Sequence, residues 1–355
     1  MDLLKFARKF GPALALLAGT LTMTPGNAQE FKWRMATTAP EASANYTVYA
    51  LKFVKYAEQL TGGRVKIQPF PSGVLAPPFG VHDAVMNGVA DLGQTVPAYI
   101  VNTDPANIVL SGQPGGMAPE AYFHWLYYGG GKELWEEFRR EEMGLQPLIA
   151  GLGTAEIFAH SHRPIREKAD MVGLKFRTIG SWANILQGFG AAPVVVPGHE
   201  VYTMLERKAI DAAEWSTPSG NLKAGLEKIA KYIVVPGVHS PSYAFEVIMK
   251  KEKWDGLPPD IRQQLQLAAQ LTSFDTYMEW GVADLDAMAR LLDGRNEVVY
   301  LSDQFVQEIK QAGREWVSER VPAQQAKGNP WIKRISDSYF SFQDKWEATS
   351  RALGR

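Results

Sequence analysis

Two runs of residues end apolar strand patterns with side chains able to do chemistry. Gly173-Leu174-Lys175-Phe176-Arg177 closes one with a guanidinium. Ligands of open α/β sheets bind at the carboxyl ends of strands, and a planar, permanently charged fork grips a carboxylate with two bonds. An arginine in a surface salt bridge would read the same way. Ile210-Asp211-Ala212-Ala213-Glu214-Trp215 sets Glu214 between an apolar pair and a large aromatic; a carboxylate there is either exposed at the strand tip or bound to a cation. Glu156, near the start of another strand pattern, either faces the same crevice or is an edge-strand charge. His160 and His162 would point the same way on that strand and make half a metal site, but no carboxylate stands at ligand spacing, so two solvated histidines are the simpler reading.

Other chemistries are excluded by what is missing. The 355 residues contain no cysteine, hence no thiol nucleophile, disulfide framework or Cys-ligated metal. No nucleophile elbow, His-Glu-x-x-His, phosphate loop or dinucleotide fingerprint is present, and the Gly129–Gly131 triplet lacks the Lys-Ser/Thr a phosphate loop needs. Acid pairs Glu136/Glu137 and Glu141/Glu142 read as a solvated helix face. With 37 basic and 38 acidic side chains, net −1, no nucleic-acid partner is expected. A secreted hydrolase or lyase using Glu156 and Glu214 as acid and base stays open as an alternative, since a pair of carboxylates flanking a cleft is enough for such work.

The elements that must position these groups follow from periodicity. Residues 1–28 read as a signal peptide: Lys5, Arg8 and Lys9 lead an apolar stretch from Gly11 to Met23, too short to span a bilayer, and Gly26 and Ala28 suit a cleavage site. Strand patterns at 32–36, 64–70 and 89–95 alternate with helices at 45–60 and 81–87, an order that implies parallel pairing. Helices follow at 119–128 and 132–142. A second series has strands at 146–151, 156–161, 173–177, 193–196, 212–215 and 243–250 and helices at 181–188, 199–207 and 219–230. That many strands imply an α/β fold with two sheets and a cleft between them. Residues 258–292 keep helical periodicity about three times longer than an ordinary helix, so this helix bridges the two units. Helices at 302–319 and 331–352 follow. The stripe Trp331, Ile335, Tyr339, Phe342 and Trp346 packs on the body or, as a sharper idea, meets a partner such as a second copy in a homodimer.

Several runs, in order, resemble a known family. Tyr56-Ala57-Glu58, Thr61-Gly62-Gly63-Arg64-Val65, Phe70-Pro71-Ser72-Gly73 and Ala84-Val85-Met86-Asn87-Gly88-Val89-Ala90-Asp91-Leu92-Gly93 are similar to the opening of TRAP (tripartite ATP-independent periplasmic) solute-binding proteins of the DctP type. Gly173-Leu174-Lys175-x-Arg177, Gly190-Ala191-x-Pro193 and Leu205-Glu206-x-x-x-Ile210-Asp211-Ala212 continue the likeness. The resemblance implies a two-lobed periplasmic binding protein fold with two mixed sheets flanked by helices. Domain I would take residues 29–154 and 243–280, domain II residues 155–242 and 281–325, and residues 326–355 a C-terminal helix on the body. It implies capture by domain closure in the periplasm and delivery to TRAP membrane permease subunits; a sensor subunit with the same chemistry is a further possibility. Arg177 stands where the family pairs with the ligand carboxylate. Glu214 and Trp215 resemble the branch that binds 2-oxo or 2-hydroxy monocarboxylates with a metal cation held by the glutamate and the Trp carbonyl. Glu156 stands where a glutamine is common, and a further acid expected near residue 240 is replaced by Ser240 or shifted to Glu246.

Charge counting favours a cation separately. Arg177, Glu156, Glu214 and a ligand carboxylate in one closed cleft sum to −2, and burying uncompensated charge costs several kcal/mol per ion. Ca²⁺ neutralises it, with Na⁺ the second choice. A pyruvate-sized ligand of about six heavy atoms can gain at most about 9 kcal/mol, while micromolar capture needs about 8.2 kcal/mol, so the acid must be almost wholly enclosed. Tyr99, Trp182 and Trp215 are candidate walls and Asn184 a candidate hydrogen-bond donor. Arg177→Ala is expected to abolish binding and to leave apo stability nearly intact.

Overall fold

The computed structural model describes residues 30–354, so the signal-peptide expectation lies outside the described residues. Strands are numbered β1 (Phe31–Thr37), β2 (Val65–Phe70), β3 (Leu92–Thr95), β4 (Leu145–Gly153), β5 (Ala159–Ser161), β6 (Lys175–Thr178), β7 (Ala192–Val195), β8 (Ala212–Ala213), β9 (Tyr232–Val235), β10 (Tyr243–Lys250) and β11 (Glu297–Tyr300). They form two mixed sheets, in order β2-β1-β3-β10-β4 and β11-β9-β5-β8-β6-β7. In the first, β1 runs parallel to β2 and β3, as the alternating strand and helix patterns require, and β10 lies antiparallel between β3 and β4. The alternation in β2 is real, with Val65 and Ile67 buried and Lys66 exposed. The helix before it stops at Gly62 and Gly63, whose φ of 60° and 79° side chains rarely adopt.

The second sheet holds two strands the sequence reading left out, β9 and β11, paired in parallel at one edge. Their runs Tyr232-Ile233-Val234-Val235 and Glu297-Val298-Val299-Tyr300 carry the β-branched residues that mark strands. Two expected elements also change. The helix expected over 219–230 is Pro218–Ala224, stopped by Gly225 at φ 75°. The strand expected over 156–161 begins only at Ala159, leaving Glu156 in an irregular crossover.

The long helix, Pro259–Leu292, bridges both lobes as expected. Its start packs Ile261 and Leu265 into the first sheet's core, and its end packs Leu291 beside Ile157 and Ile233 of the second. Near the crossover, Ser273 Oγ donates to Ile149 O at 2.9 Å and accepts from Gly151 N at 3.0 Å. Asp284 accepts from Ser219 N at 2.8 Å and from the Thr154 hydroxyl. The same helix shows an apolar outer face: Leu267, Leu271, Phe274, Met278, Val282, Leu285 and Leu292 are 40–72% exposed. The C-terminal helix Trp331–Ser350 buries Trp331, Ile335 and Tyr339, with Phe342 and Trp346 packed against the same core, so its aromatic stripe is packing.

Candidate functional site

Between the sheets lies a cleft of about 910 Å³, open solvent at its mouth included. The first lobe contributes Thr38, Tyr99 and Tyr243, and the second contributes Arg177, Glu214 and Trp215. Glu156, His239 and Ser240 come from the segments that join the lobes.

Arg177 sits on β6 and is 1% exposed. Its Nε and Nη2 donate to Val196 O at 3.0 and 2.8 Å, and Nη1 donates to Glu214 O at 2.8 Å and Glu214 Oε2 at 3.3 Å. A guanidinium has five N–H groups, so these four contacts leave an Nη2 N–H for a ligand. The carbonyls fix the fork's plane, which corrects one expectation. Removing Arg177 would strand Val196 O and leave the buried Glu214 carboxylate without its counter-charge, so apo stability must fall.

Glu214 lies one residue past β8 and is 3% exposed. Its Oε1 accepts from Ile179 N at 3.1 Å, and Ile179 caps the helix Gly180–Gly188, whose positive end therefore faces the carboxylate. Burial raises the Glu214 carboxyl, and Arg177 pulls it back. Glu156 N–H donates to Ser240 O at 3.1 Å. Beside it, a Cβ on Gly237 would lie 1.8 Å from Glu156 O, so only glycine lets the two crossover segments pass this closely. Burial pushes the Glu156 carboxyl up to about 7, against the pull of Arg177.

His239 is the functional candidate that sequence reasoning missed. A lone histidine in a Gly-Val-His-Ser loop carries no spacing signal. It is 2% exposed, and its Nε2 lies 3.3 Å from Glu156 Oε2. Burial holds the imidazole down to about 4, opposed by Glu214. One atom each from Glu156, Glu214 and His239 falls within 4.8 Å of the others. Two ligands about 2.3–2.6 Å from one calcium ion can be at most about 5 Å apart, so the group fits a single cation.

The remaining expected residues divide. Trp215 lines the cleft with its indole against Gly198, where a Cβ would come 2.1 Å from Nε1. Tyr99 lines it with its ring edge-on to Phe79 at 4.8 Å; burial raises its phenol, with Arg177 opposing. Trp182 is a wall, 3% exposed. Asn184 is not in the cleft: it is exposed, and its Oδ1 accepts from Trp316 Nε1 at 3.2 Å. Residues two apart on a helix face different ways, so Trp182 and Asn184 cannot both reach one pocket. Glu246 is also elsewhere, fully buried on β10 against Arg139, whose Nη2 donates at 2.7 Å. His160 is buried with no hydrogen-bond partner at either ring nitrogen, and His162 bonds Leu205 O at 2.8 Å; neither belongs to a metal-ligating group among the described residues.

A cleft between two mixed sheets, lined by a buried guanidinium and a cation-sized acid group, defines a two-lobed anion receptor. A family model, bacterial extracellular solute-binding protein, family 7 (DctP), matches residues 35–322, and the chain belongs to that family. It is 29% identical over 320 residues to the monocarboxylate 2-oxoacid-binding periplasmic protein of Nostoc sp. (strain PCC 7120), covering 90% of this chain and 86% of that one. Two solved TRAP solute-binding proteins superpose with a TM-score of 0.83 at 25% identity, each covering 92% of this chain. The one from Pseudoalteromonas atlantica (98% of it covered) holds sodium and pyruvate. The one from Bordetella bronchiseptica (96% covered) is a dimer with copurified calcium and picolinate. The resemblance of the sequence motifs to the DctP type is thereby borne out. No helix among the described residues is long and apolar enough to cross a membrane.

Proposed function

We propose that this protein is a periplasmic receptor that captures a small 2-oxo or 2-hydroxy carboxylate together with a metal cation and presents it to TRAP membrane permease subunits. The carrying observation is Arg177, 1% exposed and anchored on both sides in the interlobe cleft, beside the converging Glu156, Glu214 and His239. Domain I and domain II, divided as the sequence reading divides them, close on the acid; binding shifts the population toward the closed form, which the permease recognises. Arg177 takes the ligand carboxylate, Glu156 and Glu214 hold the cation, Trp215, Tyr99 and Trp182 exclude water, and no covalent step is needed. The test is titration of chelator-stripped protein with pyruvate, with and without calcium, followed by recovery of the acid after denaturation. Unchanged acid supports a receptor, and conversion would favour the hydrolase or lyase alternative. At a ligand concentration of about 100 Kd the stabilisation is about 2.7 kcal/mol, readily seen as a thermal shift. Chelator should remove most of it, and a shift unaffected by chelator would sink the role of the cation.

The pH dependence has a definite sign. Glu156 is held up to about 7 by burial, so below that pH it carries a proton that a cation must displace. Cation-dependent pyruvate affinity should fall by about tenfold per pH unit as pH drops below 7. An affinity flat between pH 5 and 8 would count against Glu156 as a ligand.

The oligomer reading moves from the C-terminal stripe to the long helix. Its outward apolar residues recur at steps of three or four residues, 267, 271, 274, 278, 282 and 285, which keeps them on one helix face. A second copy of the chain covers this face, as suits a family with a dimeric relative. Leu285→Asp, 72% exposed in the wild type, should convert dimer to monomer in light scattering without weakening pyruvate binding. A wild-type monomer at all concentrations would overturn this.

A further inference from the structure

We infer that the first lobe reads a hydroxyl group which the captured acid carries beyond its 2-oxygen, and that the Asn45 amide is the reading group. This rests on the capture reading above and narrows it to 2-oxo or 2-hydroxy acids with a further hydroxyl.

The charged groups of the cleft lie on the second lobe and on the crossover segments. Arg177 claims the acid's carboxylate, and the 2-oxygen sits beside that carboxylate, so the head of the acid docks there and its far end faces the first lobe. Three polar side chains of the first lobe line the cleft: Thr38, Asn45 and Tyr99. Neither hydroxyl nor the amide has a hydrogen-bond partner among the described residues. Thr38 is only 7% exposed. Other polar groups of this wall are committed. The Ser111 hydroxyl donates to Ala244 O at 3.1 Å and accepts from Ala244 N at 3.0 Å, and the Tyr243 hydroxyl lies 3.5 Å from Tyr49 Oη. Closing the lobes over uncommitted polar groups costs free energy unless the ligand supplies partners. The methyl of pyruvate supplies none.

Asn45 is the best placed of the three. It opens a π-helix, Asn45–Ala50, that leads into the helix Leu51–Leu60; π-helical turns are rare and gather at functional sites. The turn is pinned on every side of Asn45. Ser43 Oγ donates to Pro40 O at 2.7 Å and accepts from Tyr46 N at 3.2 Å. Tyr46 Oη donates to Pro69 O at 3.2 Å, and Tyr49 Oη donates to Leu152 O at 3.3 Å, where β4 leaves the first lobe. From the second lobe, Lys223 Nζ donates to Thr47 Oγ1 at 3.2 Å, so the lobes already meet at this turn. The backbone is therefore fixed while the amide stays free, which is the arrangement of a group preorganised for a ligand. A hydroxyl both donates and accepts. It can donate to Asn45 Oδ1 and accept from Thr38 or Tyr99, which satisfies groups that an alkyl end would strand. The cleft of about 910 Å³, open mouth included, has room for the added atoms.

The test is calorimetry, with calcium present, on two matched pairs of acids that differ by one hydroxyl: hydroxypyruvate against pyruvate, and D-glycerate against D-lactate. The hydroxylated member of each pair should bind about 10- to 100-fold more tightly. Asn45→Leu, close in size but without the amide, should erase most of that preference. It should leave pyruvate affinity and the urea midpoint unchanged, because the amide makes no bond within the protein. Thr38→Val should reduce the preference in part. Equal affinities within both pairs in the wild type would overturn the inference and leave capture of a plain monocarboxylate standing. A preference that survives intact in Asn45→Leu would overturn the role of Asn45. A loss of pyruvate and hydroxypyruvate affinity in equal measure in Asn45→Leu would also overturn it, since the amide would then shape the cleft rather than read the hydroxyl. No binding of any of the four acids would sink the capture reading and this one with it.

Discussion

Arg177→Ala should abolish pyruvate binding in calorimetry and lower the urea midpoint of the apo protein in the same preparation. Truncating one member of a buried, hydrogen-bonded charge pair costs about 2–5 kcal/mol in binding, a factor of about 30 to several thousand, and the upper end takes a micromolar ligand into the millimolar range, where calorimetry reads no binding. The stability loss comes from what Arg177 holds in the empty cleft. Val196 O loses two donors and Glu214 loses its cation. A broken buried pair costs about 3–5 kcal/mol, and the lower end applies here because Glu214, already raised by burial, can escape by taking a proton. The deficit should therefore shrink as pH falls. Arg177→Lys keeps the charge and loses the fork, so it should recover stability more than affinity. An unchanged pyruvate affinity in Arg177→Ala would remove the chemical basis of the proposed capture.

Glu246→Ala should produce the largest stability loss, about 3–5 kcal/mol in urea unfolding, with little change in ligand affinity once folded. Glu246 and Arg139 are both 0% exposed. Arg139 donates from Nε and Nη2, at 2.9 and 2.7 Å, and Trp135 Nε1 adds a third bond at 2.9 Å. Burial alone would raise this carboxyl, but Arg139 with help from His82 brings it down to about 2. A depressed acid stabilises the fold above its unfolded pKa, near 4.5, and that contribution drains away as pH falls toward 2. The variant should accordingly show a shallower acid limb than the wild type. Arg139→Ala in the Glu246→Ala background should restore part of the loss, because the second change removes the orphaned guanidinium. A variant as stable as the wild type would mean the pair is not the fixed point it looks to be.

What the sequence disclosed follows the range of its signals. Arg177 and Glu214 were legible because each ends a short strand whose apolar pattern fixes its direction. The bridging helix was legible because its periodicity outlasts any ordinary helix. His239 was not, since its position beside Glu156 depends on two loops meeting across a gap of more than eighty residues. Asn184 was misplaced by reading nearness along a helix as nearness in space, and Glu246 because only the fold shows that Arg139 claims it. β9 and β11 had usable β-branched runs, but each is only four residues long, which left little else to point to them.

The strand order has a consequence for recombination. Read from the amino end, the chain lays down β1 to β4 in one sheet, β5 to β9 in the other, then β10 in the first again and β11 in the second. Neither half of the gene encodes a whole lobe, so a single cut-and-join between two relatives yields lobes of mixed parentage. A chimera that trades one intact lobe needs joints at all three passages, and two of those joints fall next to Glu156 and His239. Lobe exchange would thus disturb residues that line the cleft itself, which leaves point substitution within the cleft as the easier route to a new ligand.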